Sequence, residues 1–305
     1  MEGRNKIALI MPYFGKWPEW INLFFYSCGK NNFIDFYIFT DCPKPEKLPS
    51  NVIYYITSWK EHCSHISNAL KIEFSSEHRP YKLCDLRPFY GLIYKELLKG
   101  YVFWGYGDID LCYGNLRSWL NDSNLRKYDV LSTHANRLSG HFCLLRNNDK
   151  YNNAALEFNN WQKRIVDKKV YGLDEYDFTE YLISNIKWVH RLHRYIGRPF
   201  GIGHYKFFSM IIPFFIIGKR LHFKELHTSP APKDGEEWKY YLQTGKVNSP
   251  KGKELPYIHF LFFKKTPFYK TNKYWREGFY RVPEDFFVRD SKCIIFTNKG
   301  IAQAK

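Results

Sequence analysis

Short apolar runs alternate with longer amphipathic stretches over the first hundred residues. Lys6–Met11 (KIALIM) reads as a buried strand that ends in the loop Pro12-Tyr13-Phe14-Gly15. A helix is predicted over Glu19–Cys28, stopped by Gly29. Phe33–Thr40 (FIDFYIFT) is predicted as a second strand, closed by Asp41 and the breakers Pro43, Pro45 and Pro49. Val52–Ile56 is a third, short strand. Helices are predicted over Trp59–Phe74 and Lys82–Leu98, the latter ended by Gly100. Tyr101–Tyr106 (YVFWGY) then leads as a strand into Gly107-Asp108-Ile109-Asp110. Strands alternating with helices of this length predict an α/β protein with a mostly parallel sheet. A strand at Phe142–Arg146 and a helix at Asn152–Val166 follow, and the last third is irregular and rich in Pro, Gly and aromatic residues. A division near residue 200 is expected, with 1–200 as a ligand-binding core and 201–305 completing the site.

Composition changes this picture little. The 305 residues are 45% hydrophobic and 25% charged, which excludes a disordered chain. The formal charge of +16 and the 19% aromatic content call for a polyanionic partner without choosing one. The seven cysteines are widely spaced, with no C-x-x-C, and predict reduced thiols in a cytoplasmic protein. The N-terminal apolar run is too short for a signal peptide. Phe207–Ile217 (FFSMIIPFFII) is too short to span a bilayer. Flanked by Arg191, Arg194, Arg198, Lys206, Lys219, Arg220 and Lys224, it reads either as a core element or as a wedge in an anionic membrane interface.

In open α/β sheets the ligand sits at the carboxyl ends of the strands, where Pro12–Phe14, Asp41 and Asp108–Asp110 all fall. Asp108 and Asp110 follow an extended segment, so their side chains share one side. They are either a solvated turn or two ligands converging on a hard cation, Mg²⁺ or Mn²⁺. His259 stands among Phe260, Phe262 and Phe263, as a core histidine or as a further ligand. Asp174 and Glu175 open a helix as either dipole-favoured acids or groups facing a substrate. Ser139-Gly140-His141 precedes a strand, with His141 as a structural residue or a base. His62-Cys63-Ser64-His65 has no second cluster at zinc spacing, and Gly201-Ile202-Gly203 lacks the context of a dinucleotide loop.

Tyr81-Lys82-Leu83-Cys84-Asp85-Leu86-Arg87-Pro88, the D-x-D, and the late Tyr257-Ile258-His259-Phe260 with Lys264, Lys265, Pro267 and Phe268 together resemble metal-dependent glycosyltransferases of the GT-A fold. The likeness is closest to the retaining, glycogenin-like group and to bacterial capsule and lipopolysaccharide sugar transferases. It covers most of residues 6–120 and the His259 block. Phe262 and Phe268 replace the Gly and Trp of the pattern, and Thr266 is inserted before Pro267.

The resemblance implies a Rossmann-like, mostly parallel central sheet flanked by helices, with an irregular C-terminal acceptor- or membrane-facing portion. Asp108, Asp110 and His259 would ligate Mn²⁺ or Mg²⁺, and Lys265 or Lys264 would neutralise the donor diphosphate. Lys82 would contact the donor, with Asp85 or Arg87 supporting its sugar or phosphates. Pro12, Tyr13, Phe14 and Asp41 would hold the nucleoside of a UDP-sugar. Asp174, Glu175 and His141 would serve the reacting sugar or the acceptor, a polysaccharide or lipid-linked oligosaccharide at the inner membrane face. Two other functions fit parts of the sequence. One is a basic nucleic-acid-binding protein, although no nucleic-acid module is readable and the basic residues are dispersed. The other is a metal-dependent phosphotransferase or nuclease built on Asp108 and Asp110.

Overall fold

The computed structural model describes residues 7–183, 186–226, 235–260, 292–297 and 300–304. Its centre is a seven-stranded sheet built from β1 (Ile7–Pro12), β2 (Ile34–Thr40), β3 (Val52–Ile56), β4 (Phe103–Gly107), β6 (Val130–Ser132), β7 (Phe142–Arg146) and β8 (Leu221–Phe223). The strand β5 (Leu111–Tyr113) lies outside it. The order is β3-β2-β1-β4-β7-β6-β8. Neighbours run parallel except at β7, which is antiparallel to both β4 and β6.

The apolar runs are continuous because both faces of this sheet are covered. Alternation sorts their side chains. Ala8, Ile10, Tyr37, Trp104 and Tyr106 enter one core. Ile7, Leu9, Met11, Phe36 and Phe103 enter the other, beneath helix α1 (Ile21–Gly29). Helix α2 (Trp59–Leu70) covers the first face and starts with a capping box, Ser58 and Glu61 bonding each other's backbone N–H.

Two expected helices are broken. Lys82–Leu98 becomes a series of single turns, at Pro80–Lys82, Leu83–Leu86, Arg87–Phe89 and Tyr90–Ile93. Pro88 has no N–H to donate, so the winding tightens there. Asn152–Val166 is likewise split into Asp149–Asn152, Ala154–Glu157 and Trp161–Val166, the last preceded by Asn160 at φ 52°.

The C-terminal part forms an antiparallel five-stranded sheet, ordered β11-β10-β9-β13-β14. Its strands are β9 (Trp238–Tyr241), β10 (Lys246–Asn248), β11 (Glu254–Leu255), β13 (Cys293–Thr297) and β14 (Gly300–Ala304). It closes a third core with Trp20 and Leu23, while β12 (Tyr257–His259) leaves it to pair with β5. The division expected near residue 200 falls inside the central unit. Phe207, Phe208 and Ile212 lie in its core, and β8 extends its sheet. All seven cysteines are free thiols.

Candidate functional site

From β1 the chain crosses to β2 and β3 on one side and returns to β4 on the other. The connections diverge between β1 and β4, so a crevice opens at their carboxyl ends. A cleft of about 970 Å³ occupies this position, large enough for a nucleotide-sized ligand. Pro12, Tyr13 and Phe14 line it after β1, and Asp108 and Asp110 line it after β4. Because β6 runs with β1 and β4, the loop after it, with His134 and Arg137, meets the same edge. Since β7 runs against them, its leading residues Gly140 and His141 meet that edge too.

Pairing of β12 with β5 places His259 opposite Leu111, and the Phe260 N–H donates to the Asp110 carbonyl at 2.9 Å. The histidine is thereby carried across about 150 positions of sequence to the D-x-D, with His259 Nε2 3.5 Å from Asp110 Oδ1. One ligand atom from each of Asp108, Asp110 and His259 lies within 4.8 Å of the others. Asp110 and His259 are buried, and Asp108 is half-buried. Two carboxylate oxygens and an imidazole nitrogen fit one divalent cation, and the nitrogen favours Mn²⁺ over Mg²⁺.

The Asp108 N–H donates to the His141 carbonyl at 3.0 Å, which fixes the turn after β4 to the start of β7. The His141 ring stacks on His259 at 4.5 Å between centroids. Its Nε2 is hydrogen bonded to the Tyr257 hydroxyl at 2.7 Å, and its Nδ1 to Ser139 Oγ at 3.0 Å. Both ring nitrogens are thus engaged within the protein, and the ring packs against His259 at the wall of the cleft.

Opposite the D-x-D, Arg87 forms ion pairs with Asp108 and, at 2.8 Å, with Asp174. Glu175 accepts from Arg137 Nε at 2.9 Å and from the Gly140 N–H at 3.2 Å. A Cβ on Gly140 would stand 3.0–3.1 Å from the side-chain ends of Asp174, Arg87 and Glu175, so a larger residue there would press these charged groups aside by a few tenths of an ångström. Burial raises the Asp174 carboxyl to about 6 against the opposing charge of Arg87. Burial also raises the Tyr13 hydroxyl, helped by Cys42, Asp41 and Asp110.

A model of the family described as "Family of unknown function (DUF6625)" matches residues 9–290. The chain belongs to that family. The match runs from β1 to beyond His259 and takes in every residue of the acidic cleft. No curated protein matches the chain.

Four residues expected at the site stand elsewhere in this DUF6625 chain or outside the described residues. Lys82 is 1% exposed, with its ammonium donating to Asp85 at 3.0 Å and to the carbonyls of Arg164 and Lys169. Asp85 accepts the N–H groups of Tyr171, Gly172 and Leu173. This pair faces the core and holds the chain that leads to Asp174, so neither residue lines the cleft. Lys264 and Lys265 lie outside the described residues.

Asp41 contributes at one remove, accepting the Gly15 N–H at 2.8 Å and shaping the loop that carries Tyr13 and Phe14. His62 is buried against Phe14, Phe39 and the Tyr94 hydroxyl, and burial lowers its imidazole to about 3. Sequence reading missed His134, Arg137 and Trp20, whose indole donates to the Ile109 carbonyl at 3.0 Å. The available signal was the position of Thr133–Gly140 directly after a strand, but that strand is only three residues long.

Proposed function

We propose that this chain is a divalent-metal-dependent glycosyltransferase of the GT-A type. It transfers a sugar from a UDP-sugar, with retention at the anomeric carbon, to a polysaccharide or lipid-linked oligosaccharide. The observation that carries this reading is the convergence of Asp108, Asp110 and His259 within 4.8 Å at the carboxyl edge of the parallel strands. The mostly parallel sheet, the aromatic and proline loop after β1, and the size of the cleft support it.

In this reading Asp108, Asp110 and His259 hold the cation. When bound, it neutralises charge on the departing diphosphate. Arg87 and Arg137 place two further cationic groups in the cleft, each balanced here by carboxylates that an entering phosphate competes with. Tyr13 and Phe14 supply an apolar wall for the nucleoside. Of the two adjacent acids, Glu175 is the one open to solvent, whereas Asp174 is sealed against Arg87. Glu175 therefore orients a hydroxyl of the sugar or acceptor, and Asp174 sets the position of Arg87. Transfer breaks the bond from anomeric carbon to phosphate oxygen, releasing UDP, and forms the bond to the acceptor oxygen, whose proton passes to the departing diphosphate or to water.

The test is release of UDP from a panel of UDP-sugars with Mn²⁺. Turnover that disappears in EDTA and in Asp110→Ala is expected. Full turnover under either condition overturns the proposal.

A further inference from the structure

Between Glu180 and Glu225 the chain contains eight Lys and Arg and not one Asp or Glu, half of the net charge of +16. The structure folds this stretch mainly into the helices Ile186–Leu192 and His204–Phe215, with the turn His193–Gly197 between them. One face of the pair is core: Val189, Phe207, Phe208 and Ile212 are buried in the cluster that also holds Leu173 and Phe178.

The other face is exposed and apolar. Met210, Phe214 and Ile217 recur at helical spacing, and Trp188 and Tyr195 stand seven apart on the preceding segment. Tyr195 is 76% exposed, Phe200 77%, Phe214 70% and Ile217 74%. The rings of Trp188 and Phe215 are 5.9 Å apart, which joins the two helices into one surface. A cluster of large side chains this exposed marks an interaction surface. Arg191, Arg194, Arg198 and Lys206 are exposed in the same stretch, and none has an ion-pair partner among the described residues. No described helix is long and apolar enough to cross a membrane.

We propose that the surface formed by 186–217 docks on the face of an anionic lipid bilayer. The aromatic and aliphatic side chains enter the interface, and the arginines and lysine meet the lipid phosphates. Charge complementarity selects this occupant: a stretch that has no acid of its own and carries four cations without an ion-pair partner among the described residues, Lys187 alone being bonded to Glu180, repels a second copy of itself and matches a negatively charged sheet. The inference is independent of the transferase reading, because vesicle binding and UDP release are scored separately.

The experiment is flotation of the full chain with vesicles of phosphatidylcholine alone and of phosphatidylcholine:phosphatidylglycerol 7:3, in 0.1 M and 0.5 M NaCl. Partitioning onto the anionic vesicles at least tenfold above the neutral ones is expected, weakening in high salt. Each cation contributes about fivefold, so Arg191→Gln/Arg194→Gln/Arg198→Gln loses about a hundredfold. Phe200→Ser/Phe214→Ser/Ile217→Ser loses at least tenfold. Both variants change only exposed side chains, and an unchanged Tm shows that the fold is intact. Equal binding to both vesicle types overturns the proposal, as does wild-type binding by either variant. Self-association in lipid-free solution that the apolar variant abolishes, without vesicle binding, assigns the surface to a second copy and also overturns it.

Discussion

Lys82 and Asp85 provide the sharpest division between a binding role and a structural one. Lys82→Met removes the cation that Asp85 and the carbonyls of Arg164 and Lys169 share in the core. Breaking one side of a buried, hydrogen-bonded ion pair costs about 3–5 kcal/mol. Unfolding entropy near 2.1 cal/mol/K per residue gives about 0.64 kcal/mol/K for 305 residues, so Tm should fall by about 5–8 °C. Asp85→Ala should fall at least as far, because it strands the ammonium and the N–H groups of Tyr171, Gly172 and Leu173. Lys82→Met/Asp85→Asn should be less damaged than the sum of its parts, with a coupling of about 0.5–3 kcal/mol. Differential scanning fluorimetry on the four proteins reads Tm, and UDP titration on the folded variants reads ligand affinity. An unchanged Tm in Lys82→Met together with a tenfold loss of UDP affinity would refute the structural assignment and return Lys82 to the ligand.

Three further outcomes follow from the site and its supports. Asp174, raised to about 6 by burial, holds a proton in the native state that the unfolded chain loses near 3.8. Its contribution to stability therefore declines as pH rises from about 4 to 6, and Asp174→Asn should flatten urea-unfolding free energies across that window. A carboxyl titration midpoint near 3.8 contradicts the burial argument. Asn31 is buried and bonds the carbonyls of Ser27 and Gly114 and the N–H of Leu116, so Asn31→Ala should cost about 3 kcal/mol in urea unfolding. A loss below about 1 kcal/mol would show that the end of α1 does not anchor the segment after β5. Tyr257→Phe removes the hydroxyl that holds the ring stacked on His259, and Mn²⁺ affinity measured by electron paramagnetic resonance should fall about tenfold. Unaltered affinity would separate that hydrogen bond from the metal-ligand geometry.

The first four central strands were legible because each carries or overlaps a run of four or more apolar residues set off by polar residues, Pro or Gly. The D-x-D was legible as chemistry because an aromatic strand points it at the edge where ligands bind. The strands β5, β6 and β8 were not, since three residues carry no readable period. That gap hid the loop with His134 and Arg137. Lys82 and Asp85 were misplaced for a different reason. A lysine and an aspartate near a helix start look like surface charges, and only the fold brings the carbonyls of Arg164 and Lys169 onto the ammonium. The segment 207–217 was ambiguous in sequence because it has two faces, one burying Phe207, Phe208 and Ile212 and the other exposing Met210, Phe214 and Ile217.

The most direct test of the central claim is calorimetric titration of UDP into the full chain, with Mn²⁺ and with EDTA, for the wild type and for His259→Ala. Binding of one UDP that requires the metal and is weakened at least tenfold by His259→Ala is expected. Equal UDP affinity with Mn²⁺ and with EDTA would contradict it.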